Sequence, residues 1–401
     1  MTVLEGFLST PEAIESFGGR SFVDAMLRFE AALARAQARV GLIDPALAGT
    51  VADTCRVDLF DVPGIVRESG HAGSLAIPLI AALKEAIGRS DPLAVAATHV
   101  GSTSQDVIDT AMALVTRPVL DAIVQDAHAI RGELLRLAEQ HAETPLLART
   151  LGQPASVTSF GWKCVLWADA VERCLARLRE SAPTALAVQL GGAVGTQAEL
   201  RGQGAAIVAL MAAELGLSAP PTPRHTLRDA WVALGCDIGL LVGTLGKIAR
   251  DLSLMAQFEV GEVSEPTGKG RGTSSAMPHK RNPVACMTAL AAAQRAPQAV
   301  AALLGAMPQE HERSLGHWQA ELAEWPQLVL CAHGASRALA SALPGLEVHA
   351  ARMRANLDAL RAQLPAATAA EWFDPALASR AGALARAQIA RLREAPSGPA
   401  A

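Results

Sequence analysis

The sequence contains no tyrosine, and aromatic residues make up only 3% of its 401 positions. Binding of single-stranded nucleic acid relies on aromatic faces on which bases stack, so this scarcity argues against that class of function. Charge of one sign is also lacking. The 35 basic and 39 acidic residues are interspersed and leave a formal net charge of -4, which argues against a nucleic-acid or anionic-membrane partner. No apolar run approaches the ~20 residues that a membrane span needs. The start, Met1-Thr2-Val3-Leu4-Glu5, carries an early acid and no basic stretch, so no signal peptide is expected. Cys55, Cys164, Cys174, Cys236, Cys286 and Cys331 form no C-x-x-C pair and read as reduced, buried thiols. The histidines form no H-x-x-x-H or H-E-x-x-H pattern, so no metal is expected. The Gly191–Thr196 run lacks the spacing and the preceding strand of a dinucleotide fingerprint, so no other cofactor is expected either. The chain reads as cytoplasmic.

What the sequence has is alanine and leucine at helical spacing. Phe22, Met26, Phe29, Leu33, Ala36 and Val40 step by three and four, which places them on one helix face. A second stripe runs from Met112 through Val115, Val119, Ile123, Ala127, Ile130 and Leu134 to Leu137. Pro118 within it should kink that helix or mark its true start. The third and cleanest comprises Leu234, Ile238, Leu241, Leu245, Ile248, Leu252 and Met255. No convincing run shows strand alternation. Long striped helices with few strands imply an all-α helix bundle.

Small residues punctuate this pattern at Gly101-Ser102-Thr103-Ser104, at Gly191 through Thr196, and at Gly261 through Ser275. Each lies beside a helical stretch, where amides at a helix start can bind anions. The third is long and carries Glu262, Glu265, Lys269 and Arg271, which suits a mobile functional loop. It runs into Gly272-Thr-Ser-Ser-Ala-Met-Pro-His-Lys-Arg-Asn-Pro283. There Ser274 and Ser275 end the loop, and Asn282-Pro283 opens a helix with a favoured N-cap and a favoured first helical residue. Lys280 and the loop amides then converge, a setting that stabilises an anion and lowers the cost of a serine alkoxide. The alternative is an ordinary loop entering a capped helix.

This stretch resembles the G-S-S-x-M-P-x-K-x-N signature of the fumarase/aspartase superfamily, with Thr273 replacing the glycine before the serine pair. The resemblance implies that Ser274 is the general base, that Lys280 is catalytic and binds a substrate carboxylate, and that Ser275 and Asn282 contribute to substrate binding. Two further segments strengthen it. His99-Val-Gly-Ser-Thr-Ser-Gln-Asp-Val-Ile-Asp-Thr110 is similar to a region that holds a substrate carboxylate, implicating Thr103 and Ser104, while capping by Ser104 or Asp106 is the structural reading. Arg149-Thr-Leu-Gly-Gln-Pro-Ala155 resembles the R-T-H-G-Q region of adenylosuccinate lyases and implicates Gln153. In that region Leu151 replaces the histidine thought to act as general acid, and leucine cannot transfer a proton.

Bacterial carboxymuconate cycloisomerases also lack this histidine, so at Leu151 the chain resembles that branch. Gly73-Ser-Leu-Ala-Ile-Pro-Leu79 and Gln309-Glu-His-Glu-Arg-Ser-Leu-Gly-His-Trp-Gln-Ala-Glu321 are similar to its GN-x-A-I-P-L and HER-x-x-G-x-W-x-A-E segments. Arg313 in the latter is a candidate carboxylate clamp, because guanidinium grips a carboxylate with two parallel hydrogen bonds. Its structural reading is an ion pair with Glu310 or Glu312. The resemblance runs over roughly residues 10 to 365. It implies three helical domains, at residues 1–97, 98–335 and a short 336–401, and a homotetramer with shared sites acting on a small tricarboxylate. A C–N lyase of the same superfamily and an inert helical scaffold are the alternatives.

Overall fold

In the computed structural model the described residues are 6–268, 272–274, 276–277 and 279–394. The first five residues, Lys269, Gly270, Arg271, Ser275, Pro278 and the tail after Glu394 lie outside them. The expected all-α class is borne out. The N-terminal part contains α1 (Pro11–Ser16), α2 (Gly19–Arg39), α3 (Pro45–Thr54), α4 (Val62–Ala72) and α5 (Ala76–Ser90). The long helices follow: α6 (Ser104–Gln140), α7 (Phe160–Ala185), the shorter α8 (Gly204–Leu215), α9 (Asp229–Met255), α10 (Val284–Gly305) and α11 (His317–Ala342). The last three are α12 (Ala350–Arg361), α13 (Ala366–Trp372) and α14 (Leu377–Glu394). Among the described residues two small antiparallel pairs interrupt them: β1 (Pro145–Thr150) with β2 (Gln153–Ser159), and β3 (Val263–Ser264) with β4 (Glu347–Val348).

The apolar stripes become buried faces. Met26, Phe29 and Leu33 on α2 are buried, as are Leu234, Ile238, Leu241, Leu245 and Ile248 on α9. Local chemistry sets several starts. Asp44 and Asp61 each accept an amide of the helix they precede, and a proline occupies the first turn of each. Pro118 does not mark a helix start, because α6 begins at Ser104 and runs through it. Helix α9 also departs from expectation. By length and composition it is apolar enough to cross a membrane, yet more than half of its most apolar stretch is buried, as in the core helix of a globular fold.

The chain divides into two compact units, each assembled from three stretches. The first comprises residues 1–121, 178–237 and 298–330. In it α2 packs on α3 and α8, and Arg35 on α2 pairs with Glu214 on α8. The Trp231 and Trp325 rings lie 4.0 Å apart, and the Trp325 indole N–H donates to Thr116 Oγ1 at 2.8 Å. The second comprises residues 122–177, 238–297 and 331–401. Here the β1–β2 hairpin packs on α12, α13 and α14, with Leu147, Val157, Leu357, Phe373 and Ala378 buried together.

That hairpin corrects the expectation of no strand pattern. Its strands contain Pro145 and Pro154, slip register between Ala148 and Arg149, and bury few side chains, so apolar alternation is weak. The turn is Leu151-Gly152, with φ of 50° and 76°. Two successive left-handed residues make the type I′ geometry that suits a twisted hairpin, but leucine is a strained choice for the first position.

Candidate active site

In the first unit, the loop His99–Thr103 leads into α6 and is tied down residue by residue. Glu30 Oε1 lies 2.7 Å from His99 Nδ1, Gln37 donates to the Val100 carbonyl at 2.7 Å, and Glu199 accepts the Gly101 amide at 3.0 Å. Asp106 then turns back from the first turn of α6 to accept the Thr103 amide at 3.0 Å. The capping expected of Asp106 is therefore present. His99 and Gly101 take φ values of 64° and 68°. Burial disfavours a charged His99 ring, but the Glu30 charge and hydrogen bond outweigh it and raise the histidine's pKa.

Asp106 also joins two of the glycine-rich segments. It accepts the amides of Gly191 and Gly192, both at 2.9 Å, and His225 Nε2 at 2.6 Å. A Cβ on Gly101 would fall 2.4 Å from Leu200 Cδ2, so only glycine fits this contact. Among the described residues the Thr103 and Ser104 hydroxyls have no hydrogen-bond partner, nor do the Ser104 and Gln105 amides. Unpaired first-turn amides at the positive end of a helix dipole can hold a carboxylate.

Arg313 lies against this same helix start. Its Nη1 donates to Gln105 Oε1 at 2.9 Å and its Nη2 to the carbonyls of Ala193 at 2.8 Å and Gly192 at 3.3 Å. It forms no ion pair with Glu310 or Glu312. Glu310 instead accepts from Ser314 Oγ and the Leu315 amide and lies 3.5 Å from His317 Nδ1. Bound among the described residues only to neutral acceptors, Arg313 keeps its charge for an anion. Beneath it, Gln105 also donates to Asp109 and to the His225 carbonyl. Arg228 joins Asp109 at 2.8 Å to Glu321 at 2.5 Å, and Trp318 Nε1 donates to Asp109 at 2.9 Å. Burial opposes a charged Arg228, but these two carboxylates hold its pKa above its ordinary value. With one cation serving two acids, burial and Asp109 together push the Glu321 carboxyl up despite Arg228.

In the second unit, Ser274 Oγ accepts the amides of Ala276 at 3.3 Å and Met277 at 3.1 Å. Two donors already aimed at this oxygen are the hydrogen bonds an alkoxide needs. The turn closes by a Lys280 amide bond to the Met277 carbonyl at 3.0 Å and an Asn282 amide bond to the Gly272 carbonyl at 2.8 Å. A Cβ on Gly272, at φ 69°, would meet the Asn282 carbonyl at 2.9 Å, so glycine is required there. Among the described residues the Lys280 ammonium and the Asn282 carboxamide have no partner, and Lys280 is exposed. Ser275 lies outside the described residues.

Asn282 does not cap the following helix. Helix α10 starts at Val284, and its first free amides, on Ala285 and Cys286, are taken at 2.9 and 2.8 Å by the buried Glu265 carboxylate. A side chain twenty residues earlier thus supplies the cap and leaves Asn282 without that task. Burial, with Glu265 adding to it, raises the Cys286 thiol pKa and keeps the thiol protonated. Gln153 is exposed at the start of β2, directly after Leu151-Gly152, and Leu151 is fully exposed. Arg149, on the same hairpin, donates to Glu262 through both terminal guanidinium nitrogens.

The structure thus gathers Thr103, Ser104 and Arg313 in one unit, and places Gln153, Ser274, Lys280 and Asn282 in the other. Sequence reasoning missed the residues that hold them, namely Gln105, His225 and Glu199. It named Glu262 and Glu265 only as loop charges. Asp106 had a signal, an acid three places after a threonine N-cap. His225 had none. Among the described residues no three His, Cys, Asp or Glu side chains are grouped as a metal site.

A family model described as Lyase matches residues 8–297, and the chain belongs to that lyase family, the fumarase/aspartase superfamily of the motif resemblance. A curated relative, 3-carboxy-cis,cis-muconate cycloisomerase of Bradyrhizobium diazoefficiens, is 44% identical over 89% of this chain and 79% of its own. The nitrosuccinate lyase of Streptomyces davaonensis is 39% identical over 92% of this chain and 79% of its own. Among solved structures, the 3-carboxy-cis,cis-muconate lactonizing enzyme from Pseudomonas putida matches with TM-score 0.84 and 37% identity. That match covers 97% of this chain and 87% of the other.

Proposed function

We propose that this protein is a cofactor-independent cycloisomerase that interconverts 3-carboxy-cis,cis-muconate and a carboxymuconolactone. The observation that carries the reading, against eliminations whose leaving group must be protonated, is Leu151, a residue without a transferable proton at the place where such a lyase of this superfamily has its histidine. In the lactone-to-diene direction a base removes a proton alpha to a carboxylate. The electron pair delocalises into that carboxylate as an aci-carboxylate, and the ring C–O bond then breaks with its pair on the departing internal carboxylate. That leaving group is a stable anion and needs no protonation, so leucine is tolerated.

Ser274 takes the proton, with the Ala276 and Met277 amides stabilising its oxygen. Lys280, Asn282, Ser275, Gln153, Thr103, Ser104 and Arg313 bind the three carboxylates and the aci-carboxylate. A tricarboxylate calls for several cationic or donor groups, and this set supplies them. The working enzyme is a cytoplasmic homotetramer with shared sites and three helical domains per chain, and it has no nucleic-acid or membrane partner.

The likeness to nitrosuccinate lyase favours a second reading, a C–N elimination. Nitrite would also leave as an anion without a proton, so Leu151 alone does not separate the two. Absorbance does: with purified protein and a chelator present, the conjugated diene of 3-carboxy-cis,cis-muconate should disappear at an enzymatic rate. A folded oligomer that leaves it unchanged while consuming nitrosuccinate would overturn the cycloisomerase reading.

A further inference from the structure

His225 contacts none of the residues proposed to bind substrate through its side chain, yet the start of α6 closes against it. Asp106 is completely buried and accepts four donors. Three are backbone amides, of Thr103, Gly191 and Gly192. The fourth is the His225 ring. Because a carboxylate only accepts, Nε2 must carry the proton, and His225 is the one side-chain donor of the four. A bare buried carboxylate here would compete with substrate carboxylates for the first-turn amides and would repel them.

The ring's placement is specific. A Cβ on Gly191 would fall 2.6 Å from His225 Cε1 and 2.8 Å from Pro223 Cβ, so the glycine turn is shaped to the imidazole. The backbone of His225 serves the other side of the site. Its carbonyl accepts Gln105 Nε2 at 2.8 Å, and Gln105 Oε1 accepts Arg313. That backbone link survives a side-chain substitution, so a variant isolates the contact with Asp106.

We propose that His225 is a positioning residue whose Nε2 proton, held on Asp106, keeps the α6 start and the Gly191–Gly192 turn open to a substrate carboxylate. This rests on the reading of Thr103 and Ser104 as carboxylate-binding residues. The pair His225→Gln and His225→Asn tests it in the full-chain protein. The glutamine amide reaches the place of Nε2, whereas the asparagine amide stops short, and both bury a similar polar group.

Expected is a KM for 3-carboxy-cis,cis-muconate within about threefold of wild type for His225→Gln. For His225→Asn the KM should rise about tenfold or more while kcat changes less. The amides of Thr103, Gly191 and Gly192 should exchange with deuterium faster in His225→Asn alone. If His225→Asn does not fold, His225→Leu takes its place in the same comparison. Equal KM and equal exchange in the two variants would overturn the proposal. A wild-type protein inactive on this acid would sink the cycloisomerase reading instead, and amide exchange would still decide the role of His225.

Discussion

Glu262, with no solvent exposure, accepts both terminal nitrogens of Arg149, at 3.0 and 2.7 Å, and takes a third hydrogen bond from Asn356 at 3.0 Å. A guanidinium locked this way anchors the strand that leads to Leu151 and is not available to a substrate. Removing it would leave a buried carboxylate with only an amide partner. Arg149→Met should therefore destabilise the protein by roughly 3 kcal/mol, while pairing it with Glu262→Gln should recover much of that loss. Chemical denaturation of the two variants measures both. An Arg149→Met protein as stable as wild type would show that the pair contributes nothing.

Ser274→Ala should abolish turnover without changing stability. The serine is half-buried, and its oxygen accepts two amides of an exposed turn that solvent can satisfy instead. Circular dichroism and the diene absorbance assay on the same preparation separate fold from chemistry. Retained turnover would remove Ser274 from the mechanism.

Helices and site differ in how far the sequence disclosed them. The stripes on α2, α6 and α9 were legible because apolar side chains must share a buried face at a period of 3.6 residues. Thr103, Ser104, Ser274, Lys280 and Asn282 were legible because local motifs carry them. Long-range partners were not. Nothing in the spacing links Glu265 to the Cys286 amide, Glu262 to Arg149 or His225 to Asp106, since tertiary folding alone brings these pairs together. The β1–β2 hairpin was hidden because its prolines and small polar residues carry no alternation, and its turn places leucine where asparagine or glycine is usual.

The Glu30–His99 pair gives the fold a pH dependence of defined sign. With its pKa raised above the ordinary 6.5, His99 stabilises the folded state most fully below that value. The contribution fades as pH rises through the folded value. A His99→Gln variant lacks it, so the gap in Tm between wild type and variant should be widest near about pH 6 and narrow by about pH 9. A gap that widens with rising pH would show that the ring is neutral in the folded protein.

Leu151 sits at φ 50° with its side chain fully in solvent, so neither packing nor conformation explains a leucine there. Asparagine tolerates the left-handed region far better, and Asn-Gly is the favoured sequence of a type I′ turn. Leu151→Asn should therefore stabilise the isolated chain by about 1 kcal/mol, read as a higher denaturation midpoint at unchanged slope. If the leucine serves the reaction as apolar surface at a shared site, the same substitution should lower kcat/KM while it raises stability. Such a split would mark a strained residue retained for function. Stability and kcat/KM both unchanged would leave Leu151 a neutral occupant of the turn and would remove it from the case for the cycloisomerase.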